Sequence, residues 1–241
     1  MKKEYWIVII VYIAMQLSSL VGLPIMMSSF KAGGISPSLA VPVWLIASFS
    51  IALLIILFIL RKEMNTKNFE NRSGSSYGTS LMWAILGVFL AYFAQICAAW
   101  IERLLGIDMG SENTQNILRI IDLMPAAIIV TSIIGPILEE IVFRKIIFGA
   151  LHKRFNFFIS ALISSVIFAA AHTEFQHILL YSAMGFTFAF LYVKTKHILV
   201  PIFAHVTMNT LVVLVQTVYK DDLERLQREA ETLQNFIGGF L

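Results

Sequence analysis

Residues 135–151 read GPILEEIVFRKIIFGAL. Glu139, Glu140 and Arg144 stand inside a run that is otherwise suited to lipid. A soluble helix would turn these charges to water, whereas a membrane helix has to hide them. The composition decides between the two. Of the 241 residues, 58% are apolar and only 14% charged, with a mean hydropathy of +0.80. A soluble domain carries about 25% charged residues, so the chain belongs among multi-span membrane proteins.

Working outward, a helix needs about twenty apolar residues to cross the hydrocarbon. Spans are expected near 5–27, 39–60, 79–101, 123–148, 156–172, 175–193 and 197–219. The fold class is therefore all-α, a polytopic membrane bundle of about seven transmembrane helices. The N-terminal apolar run outlasts a signal-peptide h-region and has no Ala-x-Ala site after it, which makes it a retained first span. The segment 111–122, SENTQNILRIID, is too polar to span and should lie at an interface. In the tail, Leu223, Leu226, Ala230, Leu233 and Ile237 recur at helical spacing, which predicts an amphipathic C-terminal helix. Three regions follow: 1–122, the N-terminal spans and interfacial segment; 123–219, a four-helix core; and 220–241, the tail.

Basic residues in short loops orient the bundle. Lys2 and Lys3 precede the first span. Arg61, Lys62, Lys67 and Arg72 follow the second, Lys153 and Arg154 the fourth, and Lys194 and Lys196 the sixth. Seven spans with the N-terminus inside put all of these on one face. The net charge of +3 is confined to loops and has no basic groove with interleaved aromatics, so nucleic acid is not an expected partner. The single cysteine, Cys97, excludes an internal disulfide and is expected as a small packing residue.

An ionised side chain at a helix centre costs about 2.5–3.5 kcal/mol, so Glu139, Glu140 and Arg144 isolated in lipid would cost on the order of 8–10 kcal/mol together. They must face protein or a wet cavity. Glu140 and Arg144, four apart in the acid-before-base order, suit an ion pair; Glu139, rotated about 100° away, points elsewhere. Span five ends in FAAAH, which places Phe168 and His172 one turn apart. Span seven carries HVTMN, with His205 and Asn209 likewise spaced. Each of these polar residues alone could be helix–helix glue, but six of them in three spans otherwise poor in polar side chains suggest a site. His152, His177 and His197 lie at span ends or in loops and read as structural.

EEIVFR, FAAAH and HVTMN match, in order, the EExxxR, FxxxH and HxxxN motifs. The chain resembles the CPBP family of intramembrane proteases, which includes the type II CAAX prenyl endopeptidases and the bacterial Abi proteins, over roughly residues 125–215. The resemblance implies an integral-membrane endopeptidase in which Glu139 and His172 activate a water, His205 and Asn209 form an oxyanion hole, and Glu140 and Arg144 brace the site. It implies a prenylated CAAX-type C-terminus or a short hydrophobic peptide, such as a pheromone or bacteriocin, as substrate. No cofactor is expected. Zinc is the alternative, with Glu139, His172 and His205 as its ligands, although the HExxH arrangement is absent. There is no GxSxG nucleophile, and Asp108 and Asp122 lie at or outside a span end. Two further classes stay open: a non-catalytic bacteriocin-immunity protein and a proton-coupled transporter. Gly135-Pro136 resembles a transporter's helix break, but no second half mirrors it; it reads instead as a kink that aims Glu139 into a cavity. Partners are the peptide or lipidated substrate and membrane lipid, with the oligomeric state open. The short chain, its initial Lys-Lys and the absence of an organelle signal suggest a bacterial cell membrane.

Overall fold

In hydrocarbon, a backbone can satisfy its own polar groups only as a helix or a closed barrel. The computed structural model describes residues 1–65, 75–108 and 110–219, together with Asp222, Arg225 and Glu229. Among the described residues there is no strand. The expected tail helix falls outside them apart from those last three positions.

The helices are α1 (Lys3–Ala32), α2 (Ala40–Asn65), α3 (Tyr77–Leu104), α4 (Glu112–Leu123), α5 (residues 127–151), α6 (Phe157–Ala171), α7 (Ile178–Thr195) and α8 (Leu199–Val218). Five segments are long and apolar enough to cross a membrane: Lys3–Ala32, Pro37–Glu63, Tyr77–Leu104, Phe175–Thr195 and Leu199–Val218. The fold is thus a polytopic helical bundle. The other two expected spans correspond to α5 and to α6, an apolar helix of 15 residues. Helices α1 and α2 outrun their expected ends at 27 and 60 by several residues. The extra turns of α2 have a physical reason, since Glu63 receives the Tyr5 hydroxyl at 2.8 Å and lies 3.5 Å from both Lys2 and Lys145. That contact gathers α1, α2 and α5 at one end.

Large apolar side chains such as Trp6, Ile10, Leu54, Phe89 and Trp100 face outward, as a surface solvated by lipid requires. Cys97 is on this outer surface. The expectation that it packs internally fails because the neighbouring Ala98 takes the inward position on α3. Two inner clusters hold the bundle. One joins α1, α2, α5, α6 and α7 around Phe143 and Phe168; the other joins α3, α7 and α8 around Phe188 and Leu191. Gly87 permits the second, since a Cβ there would meet Leu191 Cδ1 at 2.6 Å. The segment expected at an interface is helix α4, capped by Ser111, which accepts from the Thr114 N–H. Its Ile121 is buried with Ala127 of α5 and Val213 of α8.

Candidate active site

The site is built on α5, which runs through Gly135-Pro136 as helix. The helix widens on both sides of the expected kink. Val130–Ile134 and Glu140–Phe148 are π-helical and flank an α-helical turn at Gly135–Glu139. Pro136 has no N–H to give to the preceding turn, and local π geometry absorbs such a gap. Glu139 therefore closes an α turn and Glu140 opens a wide one. Gly149 shows the wider register, its N–H reaching back five residues to Arg144 O. At the middle of the wide stretch, Phe143 O takes a 2.8 Å hydrogen bond from Ser164 Oγ of α6.

Glu140 and Arg144 are fully buried and Glu139 is 17% exposed. The Arg144 Nε lies 3.3 Å from Glu140 Oε2. This is ion-pair distance, but the angles do not make it a hydrogen bond, and neither Nη atom has a hydrogen-bond partner among the described residues. The Phe168 ring, 4.3 Å from the guanidinium carbon, and the Phe188 ring at 5.4 Å supply cation–π contact instead. The ion pair expected from i,i+4 spacing is thus present, but on a π-helical segment, and aromatic faces carry part of its stabilisation.

His205 of α8 lies between the two glutamates. Its Nδ1 is 2.9 Å from Glu140 Oε1 and its Nε2 is 3.7 Å from Glu139 Oε2. Phe188 stacks on the imidazole, with centroids 4.7 Å apart and planes 20° apart. With Glu140 ionised, Nδ1 carries the proton that Glu140 accepts. Asn209, one turn further along α8, is half-buried.

His172 caps the C-terminus of α6. Its Nδ1 is 2.9 Å from Phe168 O. A carbonyl can only accept, so Nδ1 holds the proton and the neutral ring keeps its lone pair on Nε2. Phe168 links the two histidines, since its ring centroid lies 4.6 Å from His172 and 6.0 Å from His205. Thr173 then turns the chain with φ 59, a left-handed conformation unusual for a β-branched residue. The turn brings Glu174 back toward the bundle.

A second buried polar cluster lies beyond His172. The expectation that His177 is structural agrees with its surroundings. Its Nδ1 is 2.9 Å from Glu102 Oε2 and its Nε2–H donates to Gly110 O at 2.8 Å, while Glu102 Oε1 accepts the Leu180 N–H at 2.9 Å. Glu174 takes bonds from the Tyr181 hydroxyl at 2.6 Å, Ser111 Oγ at 2.8 Å and the Asn113 N–H at 2.8 Å. Burial pushes the Glu174 carboxyl up, but these bonds, with His177 adding to them, hold it below the usual carboxylate range. The sequence offered little to mark Glu102, Glu174 and Tyr181. Charge costs little near a span end, and a tyrosine at an interface is common.

Glu139, His172 and His205, the zinc set considered above, do not form a metal-binding group; among the described residues no three His, Cys, Asp or Glu side chains do.

Comparison with known proteins bears on what this arrangement does. Residues 122–211 match the family model described as type II CAAX prenyl endopeptidase Rce1-like. Over 245 aligned residues, covering 99% of each chain, the sequence is 48% identical to the Bacillus subtilis (strain 168) protein named "Putative membrane peptidase YdiL". It is 34% identical over 196 residues, 78% of each chain, to "Membrane-embedded CAAX protease MroQ" of Staphylococcus aureus (strain USA300). No solved structure matches the chain.

Proposed function

Because the chain belongs to the Rce1-like CAAX protease family and is on that ground a membrane protease, we propose that it hydrolyses a peptide bond inside the bilayer with a water activated by Glu139 and His172. The observation that carries this reading is His205 held between two glutamates, one buried and paired and the other partly open. The paired one, Glu140, fixes the imidazole and leaves Glu139 free for chemistry.

Glu139, aided by the Nε2 lone pair of His172, takes a proton as the water oxygen bonds to the amide carbon. Negative charge gathers on the former carbonyl oxygen. The Nε2–H of a protonated His205, stabilised by Glu140, and the Asn209 amide then donate to it. Fixed donors of this kind are typically worth about 3–4 kcal/mol each. As the C–N bond breaks, the proton held by Glu139 passes to the leaving nitrogen, and atoms and charges balance. Arg144 pairs with Glu140, whose other oxygen holds His205 Nδ1.

The substrate is proposed to be a short hydrophobic peptide or a prenylated C-terminus, either of which reaches the site from the lipid. Comparative peptidomics of cells carrying wild-type or Glu139→Ala protein tests both parts. Purified wild-type protein should cleave and Glu139→Ala should lose on the order of 10²–10⁴-fold in rate while remaining folded. Cleavage that survives Glu139→Ala ends the mechanism. Products trimmed at a shared C-terminus indicate a CAAX-type substrate, and an internal leader cut indicates a hydrophobic peptide.

A further inference from the structure

We propose that Tyr181 is a positioning residue for His172: its ring lies on the imidazole face while Glu174 and Ser111 hold its hydroxyl. The proposal rests on the reading above that His172 takes part in catalysis.

The lone pair of a neutral imidazole lies in the ring plane, so aiming it means fixing both the plane and the rotation within it. The Nδ1 contact with Phe168 O, at 2.9 Å, sets the rotation. The plane is set by Tyr181, stacked on His172 with centroids 4.2 Å apart and planes 23° apart, and by Phe168, whose ring meets it at 67°. His172 is half-buried at the C-terminal end of a helix, where the backbone alone leaves the ring several rotamers. Directly after His172, Thr173 turns the chain away in a left-handed conformation.

The tyrosine is itself anchored from two directions. Its hydroxyl donates to Glu174 Oε2 at 2.6 Å and lies 3.2 Å from Ser111 Oγ, which bonds the same carboxylate oxygen. The Asn113 N–H closes on the other oxygen. The chain of contact therefore runs from the start of α4, through Glu174, to Tyr181 on α7 and then to His172. A buried tyrosine serving only as packing would need one hydroxyl partner; this one shares a carboxylate that also fixes the loop. Productive geometry tolerates about 10–20° of misorientation, and a ring free to rotate exceeds that.

The test uses full-length protein in liposomes and a fluorogenic hydrophobic peptide, measuring kcat, KM and thermal unfolding of wild type, Tyr181→Phe, Tyr181→Leu, Glu174→Gln, Glu139→Ala and His172→Ala. Tyr181→Leu should lower kcat on the order of 100-fold at nearly unchanged KM. Tyr181→Phe keeps the stack but loses the hydroxyl's hold, and should fall between wild type and Tyr181→Leu at about a 10-fold loss in kcat. Glu174→Gln leaves both rings but loosens the phenol, and should cost about 10-fold in kcat. A folded Tyr181→Leu with wild-type kcat overturns the proposal, as does an equal loss in the Phe and Leu variants. If Tyr181→Leu does not fold, Glu174→Gln decides, and unchanged kcat there is equally fatal. Should Glu139→Ala or His172→Ala retain cleavage, the catalytic reading fails; if both are inactive while Tyr181→Leu is not impaired, only the positioning role does.

Discussion

Two buried histidine–glutamate contacts of the same length, 2.9 Å, occur in this bundle and are finished in different ways. At His177, each ring nitrogen and each Glu102 oxygen has a partner. At His205, the second nitrogen faces Glu139 at 3.7 Å, and the adjoining Arg144 meets Glu140 without an aligned hydrogen bond. A buried polar network with every group satisfied fixes a structure; one with groups left over is costly unless those groups have other work. Residue type alone does not separate a brace from a reactive centre. On the proposed reading, unspent hydrogen-bonding capacity does.

The strongest way to break this contrast is at Arg144. Arg144→Met strands the Glu140 charge and should cost about 3–5 kcal/mol of stability. Adding Glu140→Gln removes that charge and should recover much of the loss, as denaturation in detergent would show, while cleavage stays lost because His205 has no ionised partner. If the double variant cleaves normally, the inner cluster is merely a brace like the outer one. At the outer cluster the expectation is reversed. His177→Phe leaves Glu102 Oε2 and Gly110 O without their partner and should cost about 1–3 kcal/mol, with turnover per folded molecule unchanged. A drop in turnover at unchanged stability would move His177 into the reactive group.

The smallest effect concerns Glu174, and pH sharpens it. Its folded pKa lies below the ordinary carboxylate value. A depressed folded pKa contributes stability that is present above the unfolded value, about 4.3, and is lost as pH falls through the folded one. The stability gap between wild type and Glu174→Gln should thus be steady from neutral pH to about 5 and close only below about 4. Melting curves across that range check it, and a gap already closing near neutrality would mean the hydrogen bonds do not control the carboxyl.

Much of this was legible beforehand because charge is expensive in lipid. The cost of Glu139, Glu140 and Arg144 singled out α5, and the six motif residues then fell on α5, at the C-terminal cap of α6 and on α8. The π-helical turns were not legible. Their register follows from the missing Pro136 donor and from contacts such as Ser164 to Phe143 O, which involve another helix. Glu102 escaped notice because a charge at a span end carries little penalty, so hydropathy assigns it to the boundary although it is buried. Cys97 shows the converse limit, since an apolar run does not say which face of its helix turns inward.

Helix α6 has only 15 residues. At about 1.5 Å of rise each, it reaches about three quarters of the way across a hydrocarbon slab of about 30 Å. Lipids beside it must shorten or let their headgroups sink. A group at its end, such as the His172 imidazole, would then meet the interface at a depth where longer helices are still surrounded by acyl chains. Hydrolysis inside a membrane has to be supplied with its second reactant from the aqueous phase. On the proposed mechanism, the thin place left by the shortest of these apolar helices would give that reactant its shortest route.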